Sequence, residues 1–590
     1  MKRRMGGAVK RAGWPVATTR AGWPGAITRT PLGAMRRALL LAAAAIAFAS
    51  APAVAGAAPF IGPPSSASYE RSICNVALGC EQLHFAAGPY HITPGANLIL
   101  TDYRDVPKPA VNGFMVRVAP NLRYALPNGK CCGAVPRVDI IHLHHGVWLT
   151  DGGAGLGEGN TYGLGGMHLY PFMATGEEKT VYQLPRGYGY PVGANDRWFL
   201  NYMIHNLREN AATVYVTYDM DFIPDSSRAA RGITPVHPIW MDVEDHHIYP
   251  VFDVKRYSGV DGKFTFPDMA KNPYGGGPPL NEFTVDHPGT LIATAGHLHP
   301  GGLYDTLDVI RPGASVAKEA IHGSEPGSVR LFRSYAHYFD KRGPISWDMA
   351  MTGTAADWRP RVKAGDVLRI SATYETRRAS WYESMGIMVV WEAYDSEIGL
   401  DPFTGKVHRA IAHQASVDPF ARAVDERGYI THGHLPENNH HGGTPWLTVN
   451  PNTLPTCRTR TVLIAGFLYN PGDLDHPTCV PTIKQGQSLT FTNEDASPLA
   501  PGIPGFDPSQ AYVASIFHTI TACQNPCGLD TRISYPLANG AGNYDSGQLG
   551  LGTPAVGRLS WSTPPSLKPG VYTFFCRIHP FMRGVFRIIG

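Results

Sequence analysis

The 590-residue sequence predicts an all-β protein assembled from consecutive sandwiches. Short runs rich in Val, Ile, Tyr and Phe, cut by Gly, Pro, Asn and Asp, dominate the chain, and such runs read as strands between turns. Gly (65) and Pro (51) are both abundant, and no long stretch carries a helical period of apolar residues. The length suits three or four ordinary domains. With 43% hydrophobic and 17% charged residues the composition is globular. The net charge is only +4 and no long basic block occurs, so nothing points to nucleic acid as a partner.

The first 55 residues read as an extension and an export signal. "RAGWP" occurs twice before residue 35, and Met35 is a candidate start. Arg36 and Arg37 then precede an apolar run from Leu39 to Ala49 and an A-x-A cleavage pattern at Ala53-Val54-Ala55. That run is too short to span a bilayer, and no later one is long enough, so no stable membrane span is expected. The expected location is periplasmic or secreted. Nine cysteines fit an oxidising compartment. Cys457 with Cys479, and Cys523 with Cys527, are local pairing candidates; connectivity among Cys74, Cys80, Cys131 and Cys132 is open.

Four regions follow the signal. Residues 60–225 alternate short strands with Gly-rich turns such as "YGLGGMHLYPF" and "LPRGYGYPVG". Residues 226–399 form a second strand-rich block ending at "MGIMVVWEAYD". Both read as jelly-roll-like β-sandwich domains. Residues 400–445 are polar and His-bearing, with little periodicity, and read as a linker. Residues 446–590 have the size and pattern of one small Greek-key sandwich.

The last region ends in "VYTFFCRIHPFMRGVF", which places Cys576, His579 and Met582 on one short loop between two strands. A thiolate, imidazoles and a weak axial thioether are the donors of a copper ion that carries one electron. The second imidazole must come from another strand, and His518, within the apolar "YVASIFHTITA", is the candidate. With this loop, residues 446–590 resemble the cupredoxins, and the short ligand loop is similar to that of amicyanin. The resemblance implies a type 1 blue copper centre and an electron-transfer role.

Upstream, "IIHLHHGVWL" places three imidazoles within four residues. On a strand His142 and His144 share a face, and His145 points away unless a bulge re-aims it. A second pair, His297 and His299 in "LIATAGHLHPGG", shares a face directly. "WYESMGIMVVW" adds Met385 and Met388 in an apolar strand. Two imidazoles and a thioether suit a copper ion that visits the cuprous state, because sulfur favours the softer ion.

The order of these motifs resembles the copper type II, ascorbate-dependent monooxygenases, the family of peptidylglycine α-hydroxylating monooxygenase and dopamine β-monooxygenase. The double His, then "LPRGYGYPVG" followed by "WFLNYMIHNL", then the H-x-H pair and a late Met carry the likeness over residues 85–395. It implies two monooxygenase coppers. His144, His145 and His205 would hold one, with His142 competing on the reading from spacing. His297, His299 and Met385, with Met388 as a substitute, would hold the other and carry the catalytic role. The implied reaction is hydroxylation of a substrate C–H bond using O2 and an external electron donor. The fused blue copper would relay electrons.

The departures bear on substrate. Where peptide-amidating members carry an Arg that grips the substrate carboxylate, two positions before the H-x-H pair, this chain has Ala295. The Asn and Tyr expected after the ligand Met are Ile387 and Val389. A small or apolar organic substrate is therefore expected rather than a glycine-extended peptide. The runner-up is a multicopper-oxidase-like enzyme, suggested by "HLHHG" and "HLHPG". Phe575 and Arg577 flank Cys576, however, in place of the His residues that bridge to a trinuclear cluster. A non-catalytic copper-binding or electron-transfer protein is the third reading. His246, His247, His432, His434, His440 and His441 read as solvated loop residues, and His168 has no assigned role. "GGAGLGEGN" opens no helix, which argues against a nucleotide loop.

Overall fold

The structure, a computed structural model, describes residues 74–404, 449–496, 516–523, 544–551 and 558–590. Short stretches inside the first range are left out, 244–251 and 268–280 being the longest. The expected signal region, the linker from 405 onward, Cys527 and the histidines at 246, 247, 432, 434, 440 and 441 lie outside the described residues. Among the described residues the chain is all-β, with short 3-10 turns and no α-helix.

Two sheets build the first sandwich. One runs in the order Glu81–Ile92, Ala212–Pro224, Gly113–Tyr124, Tyr188–Val192 and Thr234–Pro235. The other runs Ile99–Asp102, Trp198–Asn206, Ile141–Thr150, Met167–Gly176 and Tyr162–Leu164. Their side chains meet in one core that includes Phe85, Leu122, Leu143, Trp148, Trp198 and Tyr218.

The second sandwich pairs a sheet of Arg361–Val362, Gly289–His297, Ile387–Ala393, His237–Asp242 and Glu158–Gly159 with a sheet centred on Val367–Glu375 and Gly302–Ile310. Two strand pairings cross residue 225: Glu158–Gly159 joins His237–Asp242, and Thr234–Pro235 joins Tyr188–Val192. Ile292, Met385, Val389 and Trp391 also pack into the first core. The two sandwiches are thus welded through shared apolar surface.

The last described region forms a five-stranded and a four-stranded sheet around Phe491, Phe574 and Phe586. Its strand Thr461–Ala465 alternates exposed and buried residues, as a strand with one wet face must. Ile141–Thr150 is different, being buried over all ten residues. A strand covered on both faces by protein carries its histidines inside.

Disulfides join Cys74 with Cys80, Cys131 with Cys132, and Cys457 with Cys479, the last as expected from spacing. Cys523 is also disulfide-bonded, and Cys576 is not. No helix among the described residues is long and apolar enough to cross a membrane.

Candidate metal centres

Strand Gly570–Phe575 delivers Cys576 into a tight loop. The loop closes on itself: the Cys576 N–H donates to the Met582 carbonyl (3.1 Å), and the Met582 N–H donates to the His579 carbonyl (2.8 Å). His518 arrives from a separate segment, as a second imidazole had to. The Cys576 Sγ lies 3.8 Å from His518 Nδ1 and 3.7 Å from His579 Nδ1, and the two nitrogens are 3.2 Å apart. Bonds of about 2.3 Å to sulfur and 2.0 Å to nitrogen fit inside that triangle. Among the described residues these three are the one group of His, Cys, Asp or Glu donors lying mutually within 4.8 Å. Met582 is buried on the same loop and packs in the same core cluster as Cys576. The donor set is that of a copper centre.

Neighbouring groups hold the donors in place. His518 Nε2 sits 3.0 Å from Asp495 Oδ2, which leaves Nδ1 facing the sulfur. Backbone N–H groups of Thr519 (3.3 Å) and His579 (3.4 Å) donate to the sulfur. Burial alone would raise the Cys576 thiol, but the His518 contact and those N–H bonds outweigh it and hold the thiol below its usual range.

The second centre rests on His297 and His299. His297 Nδ1 is bonded to Glu178 Oε2 (3.1 Å), and His299 Nδ1 to the Glu383 carbonyl. The two Nε2 atoms then face each other at 3.1 Å. With both Nδ1 atoms donating, two lone pairs converge, an arrangement that a shared cation relieves. Met385 is tied beside them through one hydroxyl: Tyr374 accepts N–H bonds from Met385 (3.0 Å) and His299 (3.2 Å) and donates to the Met385 carbonyl (2.7 Å). The Met385 side chain packs with the first core and that of Met388 with the second.

Between these centres lies a packed group of imidazoles. Strand Trp198–Asn206 pairs with Ile141–Thr150 so that His205 lies directly opposite His142. Ile204 pairs with Leu143 and Met203 with His145, which leaves His144 as the extra residue of a bulge. Ring centroids are 5.3 Å apart for His142 and His205, 5.8 Å for His142 and His144, and 5.7 Å for His144 and His205. The His144 ring also lies 4.0 Å from that of His299. His145 lies on Asn201, with Nε2 and Oδ1 3.4 Å apart, and feels the charge of His297. Burial pushes His205 down to about 4 and His145 to about 3, and it depresses His142, His144 and His299 as well. All five are neutral near pH 7, the form that ligates metals.

Several neighbours of these imidazoles carry no sequence signal. The Trp347 ring lies 4.4 Å from His142, 5.1 Å from His144, 5.8 Å from His299 and 6.0 Å from His205, so one side chain walls four imidazoles. Glu383, at a positive φ of 53°, sets its carboxylate 3.7 Å from His144 Nε2. Burial, then the charge of Asp253, pushes its carboxyl up to about 8. Glu178 and Asp495 likewise emerge only when distant strands meet.

Two relationships join the centres. His205 Nε2 donates to the Ile578 carbonyl at 2.9 Å, and the rings of His205 and His579 are 6.0 Å apart. His579 itself has no exposed surface. Arg577 stacks its guanidinium 5.3 Å from the Trp381 ring centroid and so ties the terminal loop to the second sandwich.

A cleft of about 250 Å³ lies alongside the H-x-H strand. Thr180, Tyr182, Ala293, Ala295, Gly353 and Trp391 are among its lining residues, and none of the lining side chains is charged. Ala295 precedes His297 by two residues on one strand, and Thr180 follows Glu178 by two.

No family model and no curated protein matches the chain. Among solved structures, a copper-containing nitrite reductase from Thermus scotoductus aligns at 16% identity over 52% of this chain and 59% of its own, with a TM-score of 0.14. The chain thus spans less than two thirds of that protein, and at this score the likeness carries no argument.

Proposed function

We propose that the chain is an exported, copper-dependent monooxygenase that hydroxylates a C–H bond of a small, uncharged organic substrate. O2 and an external electron donor complete the reaction. Copper in these places supplies one-electron chemistry and an open coordination position for oxygen. In this reading His297, His299 and Met385 hold the oxygen-activating ion, while Glu178 and the Glu383 carbonyl orient the two rings. The imidazoles around His144 and His205 hold a second ion, and His518, Cys576, His579 and Met582 hold a blue one. The disulfides support an oxidising location.

The observation that carries the reading is the bond from His205 to the Ile578 carbonyl, next to a fully buried His579. It supports transfer from the terminal centre into the upstream imidazoles rather than outward to solvent. From His205 the rings continue to His144 (5.7 Å) and His299 (4.0 Å). The cleft alongside the H-x-H strand supports a neutral substrate, because none of its lining side chains is charged and a carboxylate there would meet no cationic side chain.

The test is metal analysis of the copper-loaded chain, combined with oxygen consumption. Three coppers per chain and O2 uptake that requires an organic substrate and yields its hydroxylated product are expected. A copper-loaded chain that takes up no oxygen with any C–H substrate overturns the reading. Oxygen reduction to water is the second reading, favoured by the 4.0 Å approach of His144 and His299, since close imidazole sets suit a multinuclear cluster. Four-electron reduction of O2 with phenolic donors and no hydroxylated product would establish it.

A further inference from the structure

We propose that the turn over residues 255–263 of the second sandwich is a docking element for a bilayer surface that carries anionic lipid. The proposal goes beyond the copper reading and stands independently of it.

The turn is firmly built. It follows strand Phe252–Val254, and the residues that end strand Val367–Glu375 brace it. The Tyr257 N–H donates to the Thr376 carbonyl (2.7 Å), the Thr376 hydroxyl to the Ser258 carbonyl (2.8 Å), and the Arg377 guanidinium to the Asp261 carbonyl (2.7 Å). Val260 and Lys263 exchange backbone bonds of 2.8 and 2.9 Å.

On this frame two apolar side chains stand in solvent: Tyr257 is 70% exposed and Val260 is 60% exposed. A single exposed apolar residue is ordinary. Tyr257, however, also holds φ at +64°. That left-handed conformation is unfavourable for a bulky side chain, whereas glycine adopts it freely. A strained backbone whose effect is to hold an aromatic ring in water points to a use for that ring.

The charge around the pair indicates the partner. Lys255, Lys263 and Arg377 are exposed, and Arg256 places its guanidinium 4.5 Å from the Tyr257 ring centroid. The acids on the turn and its brace are Asp261 and Glu375, two against four cations. The basic surface continues along the sheet, where Lys263 lies 5.9 Å from the Tyr304 ring and Arg333 covers that ring at 4.6 Å. Cations are drawn to anionic headgroups, and a tyrosine and an aliphatic residue among them can enter the boundary below. Tyrosine suits that boundary because its ring is apolar and its hydroxyl stays wet. A purely polar acidic partner would use the cations and leave Val260 unmatched. At the far end of the supporting strand Phe252 pairs with Ser384, the residue before Met385. Docking therefore holds the second sandwich against a phase in which small apolar compounds concentrate.

The experiment is cosedimentation of the full chain with phosphatidylcholine vesicles that contain or lack phosphatidylglycerol. The wild-type chain is expected to bind the anionic vesicles at least ~10-fold more tightly than the neutral ones, and high salt should release it. Tyr257→Gly removes the ring and the backbone strain together, so binding should weaken about 10-fold while Tm falls no lower than that of the wild type. Lys255→Glu should weaken binding on the order of 5-fold for each unit of charge reversed. A wild-type chain that stays in solution with anionic vesicles overturns the proposal, as does binding that both variants keep in full. Retention on immobilised heparin without vesicle binding also overturns it and assigns the turn to an acidic polysaccharide. None of these readouts involves copper or oxygen, so the proposed enzyme survives every one of them.

Discussion

The imidazole of His205 donates a 2.9 Å hydrogen bond to the carbonyl of Ile578, a residue 373 positions further along the chain. Ile578 precedes His579, whose ring is part of the terminal donor triangle and has no exposed surface. One hydrogen bond and one peptide unit therefore separate a buried thiolate centre from a buried imidazole group. The His579 ring therefore faces the interior of the molecule and not solvent.

Replacing the sulfur tests a relay between the two. Cys576→Ser removes the soft donor but keeps the shape of a fully buried side chain. The variant should lose the intense blue absorption and reduce its upstream coppers more slowly in stopped-flow mixing with an external donor. Unchanged reduction kinetics would rule out a relay through this site.

The docking of the terminal region onto the first sandwich is open to a steric test. Gly95 adopts φ +62°, and a Cβ placed there would lie 2.4 Å from the Phe467 ring, which itself stands 5.1 Å from His579. Gly95→Val adds left-handed strain of about 1–2 kcal/mol and crowding of a further ~1–3 kcal/mol. Calorimetry should show a lower Tm, and flash-induced electron transfer from the blue centre should slow while its absorption persists. Transfer at the wild-type rate would show that this contact is dispensable.

Asp253 links stability to pH. It is part-buried with Oδ1 sealed from water and without a hydrogen-bond partner. Burial, reinforced by the charge of Asp545, pushes its carboxyl up to about 7. A carboxyl raised above the unfolded value of about 4 holds a proton that the unfolded chain has released. Its contribution is thus complete below pH ~4 and lost as pH rises through ~7. The full effect is at most on the order of 4 kcal/mol, and less to the extent that water reaches the second oxygen. Asp253→Asn should raise Tm at pH 8 and leave it unchanged at pH 4; an equal shift at both would refute the assignment.

The uncharged cleft should reject bulk. Ala295→Leu adds three carbons to a space of about 250 Å³ without touching a proposed metal donor. Titration followed by the fluorescence of Trp391, which lines the cleft, should show small neutral aromatic or aliphatic ligands binding at least ~10-fold more weakly, about 1.4 kcal/mol. Equal affinities in wild type and variant would place the ligand elsewhere.

The strands were legible because their cause is local. Alternation such as that of Thr461–Ala465 arises from a period of two, and Gly and Pro mark the turns between runs. The terminal donors Cys576, His579 and Met582 were legible for the same reason, since one loop carries all three. His297 and His299 share a face through strand geometry alone, and Cys457 with Cys479 follows from proximity along the chain.

Other features had no local cause. Whether His142 or His145 stands beside His205 depends on a strand register and on a bulge at His144, and a shift of one residue exchanges the faces. Trp347, Glu178 and Glu383 meet the imidazoles only because distant strands pack around them. Local chemistry named the donors and the strands that bear them. Long-range packing chose which donors share a pocket, because side chains converge only where sheets from separate parts of the chain exclude water together.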